Sequence, residues 1–128
     1  MKTAITQGVR ISVEVKYQAD YRIPGGGPHF FAYFVSISNE NDFGIQLLHR
    51  HWKIFDSNGT YRFVDGAGVI GAQPVITPGE LYHYNSACDL QSGIGYMEGH
   101  YVMHQLDNKR IFNVEIPRFA LELPFSMN

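Results

Sequence analysis

A chain of 128 residues with 45% apolar and 17% charged residues can bury one core unaided, which excludes a disordered chain and removes the need for metal or disulfide staples. A formal net charge of −2, with both signs scattered, excludes general binding to nucleic acid or to an acidic membrane surface. No apolar run nears the roughly 18 residues that span a bilayer, no signal-peptide pattern opens the chain, and Cys88 is the only cysteine. A soluble, cytoplasmic protein is therefore expected, with residues 1–128 forming a single domain.

Alternation begins at Val9. Val9, Ile11, Val13, Val15 and Tyr17 are apolar and the residues between them polar, which is the period of a half-buried strand. Pro24 to Pro28 breaks regular structure. The run His29 to Ser38 places Phe31, Tyr33, Val35 and Ile37 on one face. Phe30, Ala32 and Phe34 make its other face apolar, so this strand is expected to be covered on both sides. Phe43 to Asp56 reads as a third strand, with Leu48, Trp52 and Ile54 sharing one parity.

Asp56-Ser57-Asn58-Gly59 is a hairpin turn, because Asn-Gly tolerates the backbone angles that tight turns need. Thr60 to Val64 returns as a short strand, and Pro74, Pro78 and Gly79 punctuate a connection. Leu81 to Cys88 and Tyr96 to Leu106 alternate again, the latter with Met97, Tyr101 and Met103 inward. In the last strand, Ile111 to Leu123, Pro117 should force a bulge and switch the inward parity. No stretch carries a helical stripe. About seven or more antiparallel strands at regular spacing predict an all-β, immunoglobulin or fibronectin type III-like sandwich.

The candidate chemistry centres on Val64 to Pro74, where Gly66, Gly68 and Gly71 form G-x-G-x-x-G. A dinucleotide site needs a helix after the third glycine to hold the pyrophosphate. Here Pro74 and Pro78 follow within a few residues, and no βαβ unit exists, so a Rossmann turn is excluded. Two readings stay open: a non-helical anion nest of backbone amides, or glycines used for turn geometry and close backbone approach.

Arg50 shares the parity of Trp52 and Ile54, where an unpaired guanidinium is costly. It either meets a carboxylate near the strand's end or lines a pocket and receives an anion. His49 and His51 share a face, as do His100 and His104, but a structural zinc site usually wants four ligands with cysteine among them, so no metal site is expected. No nucleophile elbow or H-E-x-x-H motif appears, and no catalytic residue or cofactor is assigned.

Taken together, Gln46-Leu47-Leu48-His49-Arg50-His51-Trp52, the stretch Gly66 to Pro74, Pro78-Gly79-Glu80, Gly95 to Met103 and Phe112 to Phe119 resemble the ApaG family, in order and from about Val9 to Leu123. Tyr84-Asn85-Ser86-Ala87 departs from the family's usual Tyr-Thr-Ser-Gly. The resemblance implies the same sandwich, and a small bacterial protein whose relatives appended to F-box and DNA-polymerase-interacting proteins look like interaction modules. It also implies an indirect association with cobalt resistance and magnesium efflux. The family's proposed pyrophosphate or nucleotide site falls on Gly66, Gly68 and Gly71.

The expectation is thus a non-enzymatic protein-interaction module with an unidentified protein partner. Its exposed strand edges are open to strand addition or to homodimer formation. The alternative is a binder of nucleotide or pyrophosphate anions at Gly66, Gly68 and Gly71, with Arg50 beside them.

Overall fold

The computed structural model describes residues 1–124, which fold as nine strands in two antiparallel sheets. The first sheet is ordered β1 (Lys2–Thr6), β2 (Val9–Tyr17), β3 (His29–Asn39) and β7 (Leu81–Leu90). The second is ordered β5 (Thr60–Ala67), β4 (Ile45–Asp56), β8 (Ile94–Gln105) and β9 (Ile111–Glu122), with the two-residue β6 (Val75–Ile76) pairing β4. The all-β sandwich predicted from alternation is the observed architecture.

The period-two pattern places one row of each strand between the sheets. Val9, Ile11 and Val13, then Phe31, Tyr33, Val35 and Ile37, face Ile45, Leu47, Trp52, Ile54, Met97, Tyr101 and Met103 in one core. Trp52 is its aromatic centre, edge-on to Tyr33 at 5.4 Å and to Phe119 at 5.9 Å between centroids. Such pairs add about 0.5–1.5 kcal/mol each beyond the area they bury.

Two bulges reset parity in the second sheet. Residues Pro117 and Arg118 interrupt the β8–β9 register, so that Ile116 and Phe119 are both buried, as the proline predicts. The other bulge, in β4 between Leu47 and His49, is not signalled by a proline or glycine. It corrects the expected face: Ile45 and Leu47 are buried before it, Trp52 and Ile54 after it, and Leu48 stands half-exposed on neither run.

Further differences have local causes. β1 exists because Gln7 and Gly8, at φ 47° and 76°, form a tight two-residue turn that returns the N-terminal segment onto β2. β5 runs on to Ala67 because Gly66 and Ala67 still pair with Arg50 and His49. Among the described residues no further layer covers the outer face of β3: Phe34 is exposed, with Lys16 lying over its ring, and Tyr21 packs against Phe30. Asn39 is the buried polar hub at the end of β3. Its Nδ2 donates to the carbonyls of Phe43 and Ile76, and its own carbonyl accepts from Gly79 N–H.

The two flanks of the sandwich differ. On one, the β1–β2 hairpin closes against β9: Glu115 N–H donates to Thr6 Oγ1 at 3.2 Å, and Arg110 Nη1 donates to Gln7 Oε1 at 2.7 Å. On the other, β5 and β7 are the terminal strands of their sheets. The tie between them is a side-chain pair, Arg62 on β5 with Asp89 on β7. This second flank is open.

Candidate functional site on the open flank

A cavity of about 290 Å³ lies between β5 and β7. Trp52, Ile54 and Met97 line its core side, and Tyr33, Tyr84, Ser86 and Cys88 its first-sheet side. Arg50, Arg62, Val64, Asp89 and the Val69–Gly71 turn also line it. Alternation along β7 puts Tyr82, Tyr84, Ser86 and Cys88 on one face, and the last three line the cavity; the sequence shows that row but not what it faces.

Arg50 and the glycine stretch are brought together by the β4 bulge. Where the ladder to β8 slips, the Leu48 carbonyl is taken up by the Gly68 amide and by Gln73 Nε2, both at 2.9 Å. The Leu47 amide donates to the Pro74 carbonyl at 3.0 Å. The glycine loop is therefore folded back over the bulge, and the backbone groups freed by the slip are satisfied. Beyond the bulge Arg50 faces inward beside Tyr101. Its Nη1 donates to the carbonyl oxygens of Ala67 and Gly68 at 3.0 Å each.

Each glycine has its own physical role. A Cβ on residue 66 would stand 2.9 Å from both Nη atoms of Arg50, so Gly66 leaves room for the guanidinium. Gly68 is left-handed at φ 61°, and a Cβ there would meet the Ala72 carbonyl at 2.0 Å. Gly71 has φ 72° and open space around it; with Ile70 at φ 47° it forms the two-residue turn that links Val69 to Ala72. The amides of Gly68, Val69 and Ala72 are already donated to backbone carbonyls. At residues 67 and 68 the loop thus presents oxygens to Arg50. No helix follows the glycines; β6 does.

Electrostatically the cavity holds one uncompensated charge. Arg62 Nη1 lies 3.1 Å from Asp89 Oδ1, whereas Arg50 has no carboxylate partner among the described residues. Burial pushes the Cys88 thiol up to about 11, against the opposing pull of Arg62. Burial also raises the phenols of Tyr33, Tyr84 and Tyr101, and Arg50 pulls all three the other way. Tyr84 and Tyr101 hydrogen-bond through their hydroxyls. The phenols are neutral at physiological pH and available as hydroxyls rather than as anions.

Three histidines, His49, His51 and His100, gather on the opposite, outer face of the second sheet, while His29 and His83 lie on the first. His51 stacks on His100 across the ladder, 4.5 Å between centroids, and pairs with Asp65. Burial lowers the His100 pKa first, and the charge of His51 lowers it further. His104 lies opposite Gln46, away from that group. Among the described residues no set of three or more His, Cys, Asp or Glu side chains could hold a metal ion.

Comparison with known proteins identifies the domain. The ApaG domain model matches residues 20–105. The chain belongs to the ApaG family. It is 40% identical to Protein ApaG of Xanthobacter autotrophicus over 124 residues, covering 97% of this chain and 95% of that one. Protein ApaG of Methylorubrum extorquens is 41% identical over the same length and coverage. A crystal structure described as the putative ApaA protein from Bordetella pertussis superposes with a TM-score of 0.84 at 36% identity, covering 91% of this chain and 94% of that one. Arg50, the glycine loop and the β4 bulge lie within the residues matched by the ApaG domain model.

Proposed function

We propose that this ApaG-domain chain is a non-enzymatic interaction module that acts in the cytoplasm through a partner protein, engaged by strand addition at β5. The observation that carries the reading is the exposure of β5. It is an eight-residue edge strand, exposed at every position but Gly66, with Phe63 70% and Tyr61 50% accessible. Natural edge strands are usually short, charged or covered, and a long exposed edge with aromatic side chains is a template for another strand. The incoming strand belongs to a partner or to a second copy of this chain. The family's association with cobalt resistance and magnesium efflux then runs through that partner. The buried single thiol of Cys88 fits a reducing compartment.

The test is affinity capture with the wild-type chain beside Phe63→Glu, followed by reconstitution with the purified candidate. A protein retained by the wild type, lost from the variant and bound one-to-one on reconstitution supports the reading. Equal capture by both chains contradicts it.

A second reading is favoured by Arg50, whose guanidinium lines a cavity without a carboxylate partner among the described residues. In it the open flank binds a small anion, nucleotide or pyrophosphate included, through Arg50 rather than through loop amides. Calorimetric titration with ATP and pyrophosphate tests those two ligands: saturable heat that disappears in Arg50→Gln supports them, and flat traces contradict them.

A further inference from the structure

Resting on the second reading, the chemistry of the cavity narrows its ligand. We infer that the cavity takes a monoanionic carboxylate carried on a flat apolar body, with the carboxylate on Arg50 and the body against Trp52.

Charge decides the class of anion. Arg62 and Asp89 neutralise each other within the lining, which leaves the single positive charge of Arg50. A polyphosphate would bring several negative charges to one guanidinium, beside the Asp89 carboxylate. The loop's amides at Gly68, Val69 and Ala72 are already donated, which leaves only those of Ile70 and Gly71, too few to cradle the several oxygens of a polyphosphate. A monoanion balances the site.

Geometry favours a carboxylate among monoanions. Nη1 of Arg50 is committed to Ala67 and Gly68, while Nε and Nη2 make no hydrogen bond among the described residues. Nε and Nη2 form one edge of the guanidinium, the fork that a carboxylate fits with two parallel bonds. The Ala67 and Gly68 carbonyls hold the group in place, so little side-chain freedom is lost when that edge is occupied. The hydroxyls of Tyr84 and Ser86 line the same space and can donate to a carboxylate oxygen.

Much of the remaining wall is apolar, and the charged pair within it, Arg62 and Asp89, is internally matched. Trp52, Ile54, Met97 and Val69 face the cavity and offer nothing to a second charged group. A volume of about 290 Å³ lies just below the usual range of ligand pockets, which starts at about 300 Å³, so the occupant is small. An aromatic monocarboxylate fits this shape. So does the C-terminal residue of a partner chain when its side chain is aromatic.

Trp52 is the only tryptophan and lines the cavity, so its emission reports occupancy directly. Benzoate, benzamide and pyrophosphate are titrated against the wild-type chain, with Arg50→Gln and Arg50→Lys alongside. Expected are a saturable emission change with benzoate, binding at least tenfold weaker for neutral benzamide, and a loss of at least tenfold in Arg50→Gln that Arg50→Lys partly restores. The benzoate and benzamide contrast needs no variant, so it stands even if the Arg50 substitutions fold poorly.

Equal responses to benzoate and benzamide, or no response to either, overturn the inference. Binding of pyrophosphate without benzoate overturns it while keeping an anion site; absence of all three overturns both. A short peptide ending in phenylalanine, free or amidated at its C-terminus, separates the sources. Tighter binding of the free-acid peptide than of benzoate assigns a partner's C-terminus, and the reverse order assigns a small aromatic acid.

Discussion

Arg50 and Gly66 face each other across the β4–β5 ladder, and the guanidinium occupies the space where a side chain on residue 66 would begin. The first glycine of the G-x-G-x-x-G pattern thus seats an arginine. The second lets the loop cross itself, and the third turns it.

These roles predict a graded series in denaturant unfolding. Gly66→Ala should cost about 1–3 kcal/mol, the range for overpacking, because its Cβ meets only the end of a flexible side chain. Gly68→Ala should cost more, about 3 kcal/mol or above, since a left-handed backbone and a carbonyl at 2.0 Å both oppose it. Gly71→Ala meets open space and should cost about 1–2 kcal/mol through backbone conformation alone. Ile70→Gly should stabilise by roughly 1 kcal/mol, because a β-branched residue is held at φ 47° while its side chain is 63% exposed. Equal costs for Gly66 and Gly68, or loss of stability in Ile70→Gly, would refute the assignment.

The acid limb of stability should depend on Asp56. This buried carboxylate ends β4 and accepts from the Gln91 amide at 2.7 Å, the Ser92 amide at 3.1 Å and the Ser92 hydroxyl. Burial alone would raise its pKa, but the Ser92 hydroxyl and the amides outweigh burial and hold it below the ordinary carboxylate value. A lowered folded pKa contributes stability above the unfolded value of about 3.9, and that contribution is lost as pH falls through the folded value. Asp56→Asn should cost about 1–3 kcal/mol at pH 7. It should also show a shallower fall in urea midpoint between pH 5 and about pH 2 than the wild type. Parallel pH profiles for the two chains would contradict this.

Cys88 reports whether the open flank admits solvent-borne reagents to its wall. With its thiol pushed up to about 11 by burial, it should react with an aromatic disulfide reagent at pH 8 at least tenfold more slowly than free cysteine. Arg62 Nη2 lies 3.5 Å from Cys88 Sγ and pulls the thiol pKa down, so Arg62→Ala should move the pH midpoint of the reaction upward. A wild-type rate equal to that of an exposed thiol would contradict the burial.

Much of the fold was legible because alternation is a direct consequence of strand geometry. Val9 to Val13, Phe31 to Ile37 and the parity switch at Pro117 all follow from it. The β4 bulge was not legible, because Leu47, Leu48 and His49 carry no proline or glycine; what stabilises it is a loop some 20 residues away in sequence. Of the candidate site, Arg50 was visible as a charge on an apolar face, and Gly66, Gly68 and Gly71 as a motif. The anion reading sets Arg50 beside those glycines, but it does not give the contact of Arg50 Nη1 with the Ala67 and Gly68 carbonyls, which depends on that bulge. Tyr33, Tyr84 and Arg62 lie on three strands whose approach only the sandwich creates. His51 and His100 met for the same reason, through register that neither strand encodes alone.

The central claim is that this ApaG-domain chain binds its partner along the open flank. The most direct measurement is photo-crosslinking in cells with benzoylphenylalanine at position 63 on β5, compared with position 5 on β1 of the closed flank; both native side chains are largely exposed. The account predicts a discrete adduct from position 63 and none from position 5, with a doubled mass identifying a second copy of the chain. Adducts from position 5 alone, or from neither position, would contradict it.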